Sequence, residues 1–396
     1  MKKVYIVASA RTPIGKMGGT LSTVPCDKLA SIVIKEVVKR AGIKENLVEH
    51  VSLGCVIQAG LGQNVARQAS LKAGLSDEST AETINIVCGS GMSAIASAMR
   101  MIQVGDADIV IAGGAESMSN APFVINNARF GIKMGYPMGD SPMVDTLYDA
   151  LWDAINDYHM GITAENVAEK WHLTRNELDE FSAISHEKAA VATKAGFFND
   201  EIVTVTVKNK KNELTITSDE CVRPDTSIEK LSALRPVFKK DGLLTAGNSS
   251  PINDGAAAVL LMSEKKMKEL NVVPEAEIIG TSVAGVDPAI MGVGPIASTK
   301  KILKKYNVKT EDIDLFEYNE AFSSQSIVVQ RELNIPNDKL NVNGGAIALG
   351  HPVGASGCRI IVTLINALKQ KEKELGMASL CIGGGMGYSA LIRRIK

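Results

Sequence analysis

The chain holds six cysteines, Cys26, Cys55, Cys88, Cys221, Cys358 and Cys381, but no Cys-x-x-Cys pair. Thiols scattered in this way argue against a disulfide framework or a zinc ribbon and for a reducing compartment. No apolar run reaches the ~18 residues of a membrane span. Met1-Lys2-Lys3 leads straight into Val4-Tyr5-Ile6-Val7 without a secretory leader, so a cytoplasmic protein is expected. Neither sign of charge is in excess: 43 Lys and Arg face 44 Asp and Glu, and there is no basic block. That balance leaves no electrostatic case for nucleic acid or an anionic membrane as a partner. A Gly-x-x-x-x-Gly-Lys stretch is missing, and no G-x-G-x-x-G is convincingly placed, so nucleotide-phosphate loops are not indicated.

What is present suits a close-packed α/β protein. The 396 residues are 45% hydrophobic with 35 glycines, enough for two or three domain-sized units. Val4 to Ala8 reads as a buried strand. Asp27 to Ala41 reads as a helix with Asp27 as cap and Gly42 past its end. Val51 to Gln58 is a strand, Gln63 to Ala73 a helix, and Ala107 to Ala112 a strand running into a Gly113-Gly114 turn. The alternation predicts a mostly parallel sheet. From 120 to 250 the chain is more polar and reads as an insertion. It contains a strand from Ile202 to Val207 and a helix N-cap at Thr174-Arg175-Asn176-Glu177. Beyond it the first texture repeats. Glu277 to Gly280 echoes the first strand, Ile313 to Asn319 echoes Val51 to Ile57, and Ser379 to Gly385 echoes Ile109 to Ala115. Such offsets mark an internal duplication. The units are thus 1–119, completed by about 251–273, then the insertion 120–250, then 274–396. Two nearly all-apolar helices, Met92 to Ile102 and Ser356 to Leu368, read as buried on every side. They predict a shared middle layer between two sheets.

The chain is organised around Thr83-Ile84-Asn85-Ile86-Val87-Cys88-Gly89-Ser90-Gly91-Met92. A short strand, Ile84 to Val87, delivers one cysteine into a Gly-Ser-Gly turn at the start of a helix that Gly105 stops. Helix N-terminal amides favour thiolate over thiol. Three further pieces stand out: Asn319 in Asn319-Glu320-Ala321-Phe322, His351 in Gly350-His351-Pro352, and Cys381 before Gly383-Gly384-Gly385. The duplication places the strand ends that bear them on one edge, where α/β proteins bind ligands. A thiolate needs a base, and His suits that role. A second cysteine can move a proton at carbon, while Asn and exposed glycine amides can hold oxyanions. Cys26, Cys55 and Cys358 read as buried small hydrophobes and Cys221 as a surface residue. His-Cys-Cys is also a zinc set, but these spacings lack paired ligands and no metal is expected.

Asn85 to Gly91, Gly113 to Ser119, Asn319 to Phe322, Asn343 to Pro352 and Cys381 to Gly385 together resemble the signatures of the thiolase family, in order and across nearly the full chain. The resemblance implies the thiolase fold: two duplicated βαβαβ halves in a five-layered α-β-α-β-α core with an inserted loop domain. It also implies a homo-oligomer, a tetramer built as a dimer of dimers. The implied activity is that of short-chain members, which interconvert two acetyl-CoA with acetoacetyl-CoA and CoA. Coenzyme A is then substrate and product, and no cofactor is needed. Cys88 becomes the acylated nucleophile, His351 its activator and Cys381 the acid/base at the α-carbon. Asn319, through a water, and His351 hold the enolate oxygen, while the amides of Cys88 and Gly383 hold the tetrahedral oxyanion. Tyr158-His159-Met160-Gly161 resembles the short-chain pocket, with His159 and Met160 near the acyl group. Leu151, Arg223, Phe238, Ala246, Ser250, Ala321 and Phe322 fall where the family contacts coenzyme A, Arg223 toward the adenosine end. Two residues depart from the pattern: Pro251 where Gly usually follows the serine, and Met386 where Gln is common. A thiolase for longer or branched 3-ketoacyl-CoA, and an acyl-CoA binding protein without catalysis, are the competing readings.

Overall fold

A computed structural model describes residues 2–126, 128–131, 143–209 and 212–396, so the parts of the expected insertion at 127, 132–142 and 210–211 lie outside the described residues. The strands Val4–Arg11, Ile109–Ser117 and Asn253–Ser263 are buried at every position. They show no polar alternation because helices cover both faces of the sheet. The main sheet runs Leu315–Tyr318, Leu375–Ile382, Met386–Arg394, Ala276–Gly285, Val4–Arg11, Asn253–Ser263, Ile109–Ser117, His50–Gly54, Thr80–Ile84. From its centre outward, each half repeats one order: opening strand, return strand, then Ile109–Ser117 or its counterpart Leu375–Ile382, then a strand parallel to it. The half-sheets pair with each other through only two residue pairs, Tyr5 with Glu277 and Ile6 with Ala276. The two expected sheets are therefore joined edge to edge.

The sheet is mixed rather than mostly parallel. Parallel ladders join His50–Gly54 to both Thr80–Ile84 and Ile109–Ser117, and Leu315–Tyr318 to Leu375–Ile382. The other ladders of the main sheet are antiparallel. The cause is that each half ends on a returning strand, Asn253–Ser263 after the insertion and Met386–Arg394 after a tight hairpin. Gly113 and Gly114 form no turn but lie inside Ile109–Ser117. A Cβ on Gly113 would sit 2.1 Å from the Ala257 carbonyl oxygen, so close backbone packing explains the glycine.

Three apolar layers flank the half-sheets. Helices Cys26–Ala41 and Val65–Lys72 cover the outer face of the first half. Gly294–Tyr306 and Ser323–Glu332 cover that of the second. Between the half-sheets, Ser90–Val104 and Val353–Gln370 share one core with strands from both. The latter helix is buried from Val353 through Leu368. Ser90–Val104 is not buried all round: Arg100 is exposed and Val104 is 70% exposed, because this helix lies beside the edge strand Thr80–Ile84. Several boundaries shift from expectation. The first helix starts at Cys26 with Pro25, not Asp27, at the cap. The strand after it is His50–Gly54, and the next helix is Val65–Lys72.

The insertion contributes helices Met160–Lys170 and Arg175–Lys194 and a hairpin, Val205–Asn209 with Asn212–Ile216. Thr174 and Glu177 close a capping box, as their spacing predicts. Ala164, Val167, Leu178 and Leu244 pack on Ala321, Phe322 and Cys381, so this part of the insertion sits on the second half, while Val205 and Ile216 of the hairpin join the outer core of the first. Ser185 adds a hydrogen bond to Glu320 at 2.7 Å. Among the described residues no helix is long and apolar enough to cross a membrane.

Candidate active site

The strand leading to the first reactive cysteine ends at Ile84, not Val87. Residues 85–89 form a tight turn in which the Gly89 amide donates to the Ile86 carbonyl at 3.1 Å. Val87 has φ of 48°, a left-handed conformation that a β-branched residue strongly disfavours. Side chains hold it there. Asn85 Oδ1 accepts from the Val87 amide at 3.0 Å, and Ser90 Oγ accepts from Ile86 at 2.9 Å while donating to the Val87 carbonyl at 2.6 Å. The strain, of order 1–3 kcal/mol, aims the next side chain outward.

Cys88 is half-buried, and the backbone amides of Gly383 and of Cys88 itself pull its thiol down. Burial outweighs them and pushes the thiol up to about 11. Backbone amides favour the thiolate, as expected for this turn, but the helix itself begins at Ser90 and desolvation is the larger effect. The resting group is a thiol that requires a base.

His351 follows the short helix Ala346–Leu349, and its amide donates to Asn253 Oδ1 at 2.8 Å. Its Nδ1 lies 2.5 Å from Ser356 Oγ, which donates in turn to the Pro352 carbonyl at 2.9 Å. Asn319 Nδ2 faces Nε2 at 3.4 Å. This donor pattern puts the ring proton on Nδ1 and leaves Nε2 unprotonated, with its lone pair as an acceptor. Burial, aided by the Arg359 charge, lowers the imidazole to about 3, so it is neutral at pH 7. Just past it, Val353 packs with Val87, Cys88 and Leu151, which ties the histidine segment to the cysteine turn.

Cys381 is fully buried near the end of Leu375–Ile382, and burial, followed by the nearby Cys88, raises its thiol. The following glycines turn the chain with positive φ at Gly384 and Gly385. A Cβ on Gly383 would meet Val87 at 3.4 Å and Met160 Sδ at 3.5 Å. Gly383 therefore lies between the cysteine turn and the insertion.

Several residues expected to bind coenzyme A gather here. His159 caps Met160–Lys170 by accepting from the Gly161 amide at 3.0 Å, and its ring stacks on Phe238 at 5.0 Å. Phe238 meets Phe322 edge-on at 5.9 Å, and the Ser250 amide donates to the Ala321 carbonyl at 3.0 Å. Leu151 accepts from the Met160 amide at 2.8 Å. Arg223 and Ala246 are exposed, and the bonds and packing described here do not link them to the thiols. Tyr148 and Trp152 extend the aromatic run, Tyr148 lying 5.6 Å from His159. Their i, i+4 spacing was the available signal. Pro251 and Met386 are both half-buried, Met386 opposite Ile382 at the start of the return strand.

Other supporting residues escape a sequence reading. The buried Glu116 carboxylate accepts from the amides of Val56, Ile57 and Gly354 at 3.0, 3.1 and 2.8 Å, clamping both halves beside Cys88. Cys221, expected on the surface, is buried and its sulfur lies 3.2 Å from Asn253 Nδ2. Asn253 must satisfy the His351 amide, and the cysteine fills the space behind it. Among the described residues no group of three or more His, Cys, Asp or Glu is placed to hold a metal ion.

Comparison with known proteins adds a second line of observation. Residues 4–265 match the family model described as the thiolase N-terminal domain, and residues 272–394 that of the thiolase C-terminal domain. The chain is 50% identical to a probable acetyl-CoA acyltransferase of Staphylococcus aureus (strain COL), over 100% of both chains. It is 48% identical to an acetyl-CoA acetyltransferase of Syntrophomonas wolfei, again over 100% of both. The crystal structure of the Bacillus anthracis acetyl-CoA acetyltransferase superposes with a TM-score of 0.97 at 45% identity, covering 100% of this chain and 99% of that one. That of human mitochondrial 3-ketoacyl-CoA thiolase superposes at 0.96 with 41% identity and the same coverage.

Proposed function

The chain belongs to the thiolase family and is an acyltransferase, and from that premise we propose that it interconverts two acetyl-CoA with acetoacetyl-CoA and CoA through an acetyl group carried on Cys88. In synthesis His351 Nε2 takes the Cys88 proton, and the thiolate attacks the first thioester. The amides of Cys88 and Gly383 hold the tetrahedral oxyanion. Cys381 protonates the departing CoA thiolate and is left as a thiolate itself. It then removes an α-proton from the second acetyl-CoA. The enolate oxygen lies against Asn319, through a water, and the Nε2–H of His351. The enolate carbon attacks the acetyl carbonyl, and Cys88 leaves and recovers its proton from His351. Both thiols and the neutral imidazole are restored, and thiolysis is the reverse. An α-proton beside a thioester is weakly acidic, so donors fixed in advance must supply several kcal/mol of enolate stabilisation.

The observation that carries this reading is the seating of the Cys88 turn on the end of the Cys381 strand: a Cβ on Gly89 would sit 2.5 Å from Ile382 Cδ1, and one on Gly383 3.4 Å from Val87. Met160, close against Gly383, supports a short acyl group. Leu151, His159, Phe238, Ser250, Ala321 and Phe322 are assigned to the pantetheine and acyl side, with Ala246 beside them and Arg223 at the adenosine end. Coenzyme A is substrate and product, with no further cofactor. Six free cysteines fit a reducing cytoplasm. The unpaired edge of Thr80–Ile84 suits a second copy, and a dimer of dimers is the proposed assembly. The deciding experiment is thiolysis of acetoacetyl-CoA with mass spectrometry to locate the trapped acetyl group, followed by a chain-length series. An inert protein, or a label on another residue, defeats the reading. Faster turnover of long 3-ketoacyl-CoA moves it to the other branch.

A further inference from the structure

Arg359 and Glu317 are each 1% exposed and lie deep between the half-sheets. Arg359 Nη1 donates to Glu317 Oε1 at 2.7 Å, and Nη2 faces Asn319 Oδ1 at 3.4 Å. Among the described residues Arg359 Nε has no hydrogen-bond partner. A buried ion pair is often no more stable than apolar packing of the same volume, and here one donor is left unsatisfied. Stability is therefore a poor reason for this arginine. The geometry offers another. An amide can rotate about its last bond at little cost, and its two ends have opposite hydrogen-bonding character. A guanidinium only donates, so the end of Asn319 that faces it must be Oδ1. Nδ2 is then turned the other way, toward His351 Nε2. With the amide flipped, its NH₂ would confront the guanidinium N–H groups and its oxygen would confront the reacting side.

We propose that Arg359, anchored by Glu317, is a positioning residue that fixes the polarity of the Asn319 amide so that a donor faces the thioester oxygen. Arg359 acts through Asn319 and touches no reacting atom. The proposal rests on the reading above, in which Asn319 serves the enolate and not the acetylation of Cys88. Loss of the arginine fork should therefore spare the first half-reaction and slow the second.

The test compares Arg359→Lys, which keeps the charge but not the two-armed fork, and Glu317→Gln, which keeps the arginine but loosens it. Each is made in the native chain and in Asn319→Ala. For Arg359→Lys the condensation kcat should fall about 10- to 100-fold, the scale of one misplaced oxyanion donor, with KM changed less than about threefold. Acetylation of Cys88 by labelled acetyl-CoA should stay within about threefold of the parent. Glu317→Gln should show the same split with a smaller loss. In the Asn319→Ala background neither change should slow condensation further. The idea is overturned if a folded Arg359→Lys condenses at the parental rate, or if the double variants fall by the product of the single losses, as a structural role requires. If Arg359→Lys does not fold, the Glu317→Gln cycle decides by the same criterion. A parent enzyme that never acetylates Cys88 would sink the functional reading itself, a result distinct from either outcome.

Discussion

A Cβ on Gly114 would sit 2.0 Å from the carbonyl oxygen of Gly354, so strand and helix from opposite halves touch backbone to backbone at this point. Neither partner is a flexible side chain that can swing aside. Gly114→Ala should therefore destabilise the protein by about 1–3 kcal/mol, the typical range for overpacked cores. Urea unfolding at pH 7 checks this. A midpoint equal to the parent's would mean that the halves are not packed this closely.

Cys88→Ser should abolish acetyl-enzyme formation. Cys381→Ala should still acetylate Cys88, though more slowly because the departing CoA thiolate is no longer protonated there, and should lose condensation and α-proton exchange by about 10³-fold or more, the upper part of what a positioned acid/base supplies. Radioactive acetyl-CoA and exchange in D₂O separate the two steps. Undiminished condensation in Cys381→Ala would remove that residue from the chemistry.

The free enzyme holds a neutral thiol and a neutral imidazole, not an ion pair. Cys88 lies near 11 and His351 near 3, so between these values both are uncharged. Alkylation of Cys88 by iodoacetamide should rise steadily with pH through 9. A rate already on its plateau below pH 7 would reveal a preformed thiolate–imidazolium pair.

Acid should weaken the fold through buried histidines. His186 is lowered by burial to about 4, against about 6.5 when unfolded. Below pH 6.5 the unfolded chain takes up a proton that the folded chain refuses, so stability falls as pH drops toward 4. Between pH 7 and 5 this one group should cost about 2 kcal/mol. His186→Gln should flatten the loss in urea titrations at the two pH values. An unchanged slope would place the acid sensitivity elsewhere.

Much of this architecture was legible as apolar runs, because strands buried on both faces and helices in the middle layer carry almost no polar residues. The duplicated order could be read from echoing strands. Their directions could not, since a returning strand looks like any other until its neighbour is known. Gly113 and Gly114 looked like a turn for the same reason: a glycine needed for a distant backbone has no local mark. Ile86 and Val87 suggested a longer strand, but side-chain bonds from Asn85 and Ser90 override that propensity. Cys88, Asn319, His351 and Cys381 stood out by residue type and setting. The protonation state of Cys88 did not, because desolvation is set by what the fold brings near. Asn253 and Arg359 carried no signal beyond being polar within apolar surroundings, and Glu116 was visible only as part of the Gly113 to Ser119 stretch.

The junction of just two residue pairs between the half-sheets has a consequence for division of labour. In the proposed mechanism one copy of the repeated unit supplies the group that carries the acyl chain, and the other supplies the side chains that handle protons and enolate. Two identical half-length chains would have to duplicate every residue in both places. Tandem fusion frees each copy to specialise, and ties the survival of either specialisation to the other.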